Sequence, residues 1–404
     1  MATFPTISLN NFEIRRIRNG HPWIYPKSIA TLPDGLQTGD QVTVYGPRKD
    51  LLGSAVYHAE SKIRLRILSR EIEALDTAFF EKRLKRALDY RTRMLPGRTS
   101  FRLINSESDE LSGLIIDCYE QATLFQITSY GLEQRKSNII EAIRNVIKPE
   151  ILIERNDVSN RKFEGLSELK QVHEQKDASL DLENYRITVN GVHYVLNLIE
   201  GNKTGLYLDQ IENHAKFKTI LDRYQDARVL DCFSYIGGFS LSAGRSERVR
   251  EVIGIDQSAE CIQKARSNAE LNGIASKCRF EQANVFDWLR LASAEPEEQG
   301  SYDIVVLDPP SFTKNRHTVE GAVRGYKELH VRALRLLKPG GTLLTFSCSH
   351  HISEDLLRSI VFEAACDTGS RVIECESYRQ SPDHPIVPPI PESFYLKGFA
   401  YYKI

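Results

Sequence analysis

The chain has 404 residues, 41% hydrophobic and 26% charged, the balance of an ordinary folded protein with more than one core. It holds no apolar run of the roughly 18 residues that span a bilayer, and its first residues lack a basic or apolar leader, so a cytoplasmic protein without membrane contact is expected. The formal net charge of −1 hides +7 in residues 1–100 and −8 in the remainder, which suggests a polyanion-facing module at the basic end.

Residues 1–70 read as a small β-rich unit. Positions 41–45 and 62–68 alternate polar and apolar residues as half-exposed strands do, and Pro33-Asp34-Gly35 and Gly46-Pro47 mark turns. In the second run Arg64 and Arg66 share a face that can meet RNA phosphates. Arg15, Arg16, Arg18, Lys62, Arg70, Lys82, Arg83, Lys85 and Arg86 enlarge the basic set. A helix is predicted over 76–95, capped by Asp76 and stopped by Pro96-Gly97. Strands at 114–117 and 122–127, a helix over 131–147 and a strand at 150–154 make a central α+β region. The polar stretch 167–184 reads as a linker or hairpin insertion. From about 185 strands alternate with helices, at 228–233, 252–256, 278–282, 302–308 and 341–347, which predicts a doubly wound parallel sheet. Residues 394–402 read as a last antiparallel edge strand.

The first strand-to-helix turn of that sheet runs from Asp231 to Phe239. It lacks the Gly-x-Gly-x-x-Gly spacing that lets backbone approach a pyrophosphate, so a dinucleotide is disfavoured. Gly237-Gly238 still open a helix, where N–H groups favour one small anion, such as the methionine carboxylate of S-adenosylmethionine. Asp256 ends the second strand, where a carboxylate can accept from both ribose hydroxyls. The plainer alternatives are a tight turn for the glycines and a helix N-cap for Asp256. Two further strands close on Asp308-Pro309-Pro310 and on Thr345-Phe346-Ser347-Cys348-Ser349. Open α/β sheets bind ligands at such tips, so an acid and a thiol meeting there point to covalent catalysis by cysteine. The seven cysteines are scattered, with no Cys-x-x-Cys pair and no zinc-like cluster, so no metal is expected and most are core fillers.

These motifs, with Gly201 to Gln210, Asp383-His384-Pro385, Tyr395 to Phe399 and His21-Pro22-Trp23, resemble the class I, RlmI-type ribosomal RNA cytosine-C5 methyltransferases. The resemblance covers nearly the whole chain. It implies an RNA-binding PUA-like β-barrel at 1–70, a central α+β domain at 71–184 and a Rossmann-like methyltransferase domain at 185–404. It implies S-adenosylmethionine held by Gln210, Phe233, Ser234, Tyr235, Gly237, Gly238, Asp256, Asn284 and Asp308. Cys348 is then the nucleophile and Asp308 the partner of the cytosine N3/N4 edge. The implied substrate is large-subunit ribosomal RNA, single-stranded or easily opened, and oligomeric state stays open, a homodimer included. Asn284 stands where the family usually has Asp. Ser311 stands where many related enzymes carry a second cysteine for product release, so the releasing base is unnamed. Methylation of another RNA base or atom, and a non-catalytic ribosome-assembly role, are the alternatives.

Overall fold

A computed structural model of the protein describes residues 4–201, 204–313 and 318–404. The chain divides into two units. One comprises Met1–Ile187, Leu196–Leu208 and Pro382–Ser393; the other Thr188–Val195, Asp209–Ser381 and Phe394–Ile404.

The first unit opens with β1 (Thr6–Leu9), α1 (Ile14–Arg18), β2 (Trp23–Ile24), β3 (Ile29–Thr31), β4 (Gln41–Tyr45), β5 (Leu51–Tyr57) and β6 (Leu65–Ser69). The strands form one sheet in the order β2-β6-β5-β4-β1-β3. Its inward positions, among them Ile7, Val42, Val44, Leu65 and Ile67, gather with Ile17 and Ile24 in one apolar cluster. The half-exposed strands expected from the period-2 alternation are instead buried on both faces, since Gln41, Thr43 and Ser69 are covered too, Gln41 by donating to Glu73 O at 2.7 Å. Val56 and Leu68 instead pack with Phe79, Phe80 and Leu84 of α2 (Thr77–Met94), in the cluster that also holds the core of the next sheet. Asp76 caps α2 as the sequence predicts, accepting from the Phe79 N–H at 3.0 Å.

The second sheet of this unit takes β7 (Ser100–Asn105), β8 (Leu114–Tyr119), β9 (Ala122–Ile127), β10 (Ile151–Arg155) and β11 (Lys170–Gln175) in the order β11-β10-β9-β8-β7. The helix expected over 131–147 is two, α3 (Tyr130–Glu133) and α4 (Lys136–Val146). The expected linker contains β11, antiparallel to β10. An edge strand with largely exposed side chains carries no buried face and so no alternation to read. The two-stranded sheet of β12 (Tyr185–Val189) and β13 (Val192–Leu196) follows.

The second unit runs α5 (Ile211–Leu221), β14 (Ala227–Cys232), α6 (Gly238–Gly244), β15 (Val249–Asp256), α7 (Ala259–Leu271), β16 (Cys278–Gln282), α8 (Val285–Ala292), β17 (Tyr302–Leu307), α9 (Val319–Leu336), β18 (Leu337–Ser347), α10 (Glu354–Thr368), β19 (Val372–Arg379) and β20 (Lys397–Lys403). Its seven strands lie in the order β16-β15-β14-β17-β18-β20-β19. The first five are parallel, and β20 is antiparallel to both neighbours. The segment expected at the edge is therefore interior, and β19 holds the edge. Alternate residues of β14, β15, β17 and β18, such as Leu230, Ile253, Val305 and Leu343, pack with α8, α9 and α10. The strand order changes direction between β14 and β17, which opens the crevice where such sheets bind ligands.

Candidate active site

The cofactor turn leaves β14 through a crumpled backbone. Phe233, Tyr235 and Gly237 all take left-handed conformations, at φ 64°, 51° and 96°. Two of these are not glycine, a strain of the kind that gathers at ligand sites. The loop is fixed by Ser234 N–H donating to Ile255 O at 3.0 Å and Tyr235 N–H donating to Asp256 Oδ2 at 3.0 Å. Gly238 is obligatory, because a Cβ there would lie 2.3 Å from the His214 ring. The buried Ser234 hydroxyl has no hydrogen-bond partner among the described residues. Such an orphan costs about 1–3 kcal/mol unless a ligand satisfies it. Its place in this loop fits a polar group of a bound nucleoside cofactor.

Asp256 accepts from Tyr235 N–H and, through Oδ1, from Ser258 N–H at 2.9 Å. A carboxylate has about four acceptor sites, so ribose hydroxyls can still be served. The cap of α7 is Ser258, whose hydroxyl accepts from Cys261 N–H at 3.3 Å, so Asp256 is not the helix cap. Asn284 Oδ1 accepts from Phe286 and Asp287 N–H at 3.0 and 3.3 Å and caps α8, so an adenine amino group would compete with the helix for it.

Asp308 follows β17 and Cys348 follows β18, on adjacent parallel strands whose register pairs Leu307 with Thr345. Acid and thiol thus leave the same end of the sheet. Gln210 lies with Asp308, another residue of the expected cofactor set: its Nε2 donates to Asp308 Oδ2 at 2.9 Å, and Asn213 Nδ2 donates to Gln210 Oε1 at 2.6 Å. The carboxylate is held by an amide that is itself held. Ser311 Oγ donates to Thr313 O at 2.9 Å.

The strand end that carries half-buried Cys348 is braced from behind. Tyr326 Oη donates to Ser347 Oγ at 3.0 Å, and burial pushes that phenol's pKa up, so it stays a donor. His330 bridges Tyr326 O at 2.6 Å and Thr345 Oγ1 at 2.8 Å; burial lowers its pKa to about 4 and keeps the ring neutral. From β20, Lys397 Nζ donates to Ser349 O at 2.6 Å and Ile352 O at 2.7 Å. Sequence reasoning missed Lys397, although it lies in the Tyr395 to Phe399 motif. Aromatic rings run from the cofactor turn to this brace: Phe233 to Phe286 at 6.5 Å, Phe286 to Phe312 at 5.7 Å and Phe312 to Tyr326 at 4.9 Å. Asn202 and Lys203 of the Gly201 to Gln210 motif lie outside the described residues.

Residues 174–394 match the family profile of S-adenosylmethionine-dependent methyltransferases, and residues 7–70 that of PUA-like domains. The chain is 38% identical to ribosomal RNA large subunit methyltransferase I of Klebsiella pneumoniae (strain 342), over 99% of this chain and 98% of that protein. It is 40% identical to the protein of the same name from Vibrio vulnificus (strain YJ016), over 94% of each. The chain belongs to the ribosomal RNA large subunit methyltransferase I family. The likeness extends to solved folds. Two structures, one described as a methyltransferase complexed with SAH and one as SAM-dependent and from Streptococcus mutans, match with TM-score 0.81 at 21% identity, over 99% of this chain and 100% of theirs.

As a member of this family the protein uses S-adenosylmethionine, and the orphaned Ser234 hydroxyl, the close-packed Gly238 and the Asp256 carboxylate fit that cofactor. The first seventy residues hold the PUA-like domain and the sheet of the second unit is the Rossmann-like methyltransferase fold. Among the described residues no group of His, Cys, Asp and Glu is arranged to hold a metal ion, and no helix is long and apolar enough to cross a membrane.

Proposed function

We propose that this protein methylates C5 of a cytosine in large-subunit ribosomal RNA, with Cys348 as the covalent nucleophile. The observation that carries the proposal is the emergence of Asp308 and Cys348 from adjacent parallel strands beside the cofactor turn. Cytosine C5 is a weak nucleophile while the ring is aromatic. Addition of the Cys348 thiolate to C6 breaks that aromaticity and makes C5 enamine-like, splitting one difficult step into two easier ones. Bound S-adenosylmethionine supplies an electrophilic methyl group. Asp308, oriented by Gln210, meets the N3/N4 edge and stabilises the charge that develops on attack. Loss of the C5 proton and β-elimination of the thiolate restore the aromatic ring and free the enzyme. Ser311 takes the place of a second cysteine, so the C5 proton leaves to another base, water included.

A methyltransferase acting on an exocyclic amine would present an aromatic residue after Asp-Pro-Pro to stack its base. Here Phe312 comes second and packs between Phe286 and Tyr326, which favours the C5 reading. RNA containing 5-fluorocytosine discriminates, because fluorine at C5 cannot leave as a proton would. Wild-type enzyme with cofactor is expected to form a complex that survives denaturing electrophoresis. Cys348→Ala should form none and transfer no methyl, with cofactor affinity unchanged by calorimetry. A fully active Cys348→Ala enzyme would overturn the proposal.

A further inference from the structure

Lys397 is an ammonium on an interior strand, 3% exposed, directly across β18–β20 from Ser347. Its Nζ donates to carbonyls of the loop that follows Cys348, Ser349 O and Ile352 O. These hold Nζ against the segment that begins at the thiol. Among the described residues no carboxylate lies within ion-pair distance of it; Glu354 of α10 acts on it from farther away and is itself 3.7 Å from Arg379. A buried cation without an adjacent anion is costly, and a thiolate formed at Cys348 would lower that cost.

We propose that Lys397 is a positioning residue that stabilises the Cys348 thiolate, so that the nucleophile is ionised near neutral pH without a general base. The purpose of this pairing rests on the covalent reading above, whereas its electrostatics do not. The ionisation releases the thiol proton to solvent and leaves a thiolate facing the ammonium. The other titratable groups about Cys348 are ill-suited to that role. Tyr326, from α9, is a neutral hydrogen-bond donor to Ser347. Asp308, at the β17 tip, carries negative charge and works against a thiolate. His330 is neutral and turned to Thr345. His350 and His351 follow on the same loop, with the His350 ring 6.0 Å from Tyr395. Burial lowers the Lys397 pKa to about 8, and the facing charge of Cys348 opposes that shift, so the ammonium form prevails at neutral pH.

The test is the pH dependence of Cys348 alkylation by iodoacetamide in the full-length protein, followed by peptide mass spectrometry to separate Cys348 from the exposed Cys366 and Cys375. The wild-type midpoint is expected below the ~8.5 of a free thiol. Lys397→Gln removes the cation and should raise the midpoint by about one unit or more, while Lys397→Arg should restore most of the shift. Cofactor affinity by calorimetry reports that each variant is folded. Equal midpoints in wild type and Lys397→Gln overturn the proposal. If Lys397→Gln fails to fold, the wild-type midpoint alone decides, since a value at or above that of a free thiol also overturns it. A shifted thiol in an enzyme that forms no 5-fluorocytosine adduct sinks the C5 chemistry and leaves the Lys397–Cys348 pairing standing. An adduct with an unshifted thiol does the reverse.

Discussion

At the residue scale the cofactor turn is fixed by backbone as well as side chain, with Ser234 N–H donating to Ile255 O and Tyr235 N–H donating to Asp256. The Asp256 carboxylate holds the loop through Tyr235, and we propose that its remaining acceptors serve the cofactor ribose. Charge-assisted hydrogen bonds are worth roughly 1.5–3 kcal/mol, so Asp256→Ala should weaken cofactor binding by about ten- to a hundredfold. Part of that loss comes from the loop, which loses the Tyr235 anchor. Isothermal calorimetry with S-adenosylmethionine measures it, and unchanged affinity would remove Asp256 from the cofactor site. Asn284 has a structural task of its own, because its amide oxygen caps α8.

At the scale of elements, two helices pin neutral histidines against the catalytic sheet. His330 on α9 holds Thr345 and Tyr326, and His214 on α5 fills the space over Gly238. Burial lowers both pKa values to about 4. The unfolded chain, with histidine near 6.5, therefore binds more protons than the folded one between about pH 6.5 and 4, and stability falls as pH drops through that window. Each histidine should remove about 2 kcal/mol between pH 7 and pH 5. Urea unfolding at the two pH values tests this. His330→Gln should be weaker at pH 7, yet lose less on acidification than wild type. An undiminished loss would mean that His330 is protonated in the folded protein.

At the scale of the whole molecule, the basic end is less open to a polyanion than its charge suggests. Arg18 pairs with Asp50 at 2.7 Å, Arg66 with Glu164 at 3.0 Å, Arg83 and Arg86 with Glu110 at 2.8 and 2.9 Å, and Lys85 with Glu81 at 3.0 Å. Arg70 donates to Ile17 O. Lys62 and Arg64 precede β6 instead of lining it. With Arg15 they have no carboxylate within ion-pair distance among the described residues, and Arg15 and Lys62 are exposed. Each phosphate neutralised on single-stranded RNA contributes about 0.7 to the slope of log affinity against log salt. Replacing Arg15, Lys62 and Arg64 together by Gln should lower that slope by about 1–2 for a ribosomal RNA fragment, measured by filter binding across a salt series. An unchanged slope would make these residues a solvated face. Deleting residues 1–70 is a poorer experiment, because Val56 and Leu68 belong to the core that holds Phe79 and Leu103.

What the sequence by itself determined is local and periodic. Strand–helix alternation marked the sheet from 228 onward, because buried strands and amphipathic helices leave short repeating patterns. The turn at Gly237-Gly238 and the tips at Asp308 and Cys348 were legible because each motif lies at the end of its own strand. The tertiary structure decided everything that joins distant positions. Gln210 reaching Asp308, Lys397 reaching the loop after Cys348 and Arg66 turning to Glu164 link residues 98, 48 and 98 positions apart. No periodicity encodes such pairs. Nor does it say which strand closes a sheet: β20 is interior because β19 pairs outside it, and β11 is a strand because β10 leaves it an edge to join. Burial, pairing and pKa follow from neighbours, and neighbours are assigned only when the chain has folded.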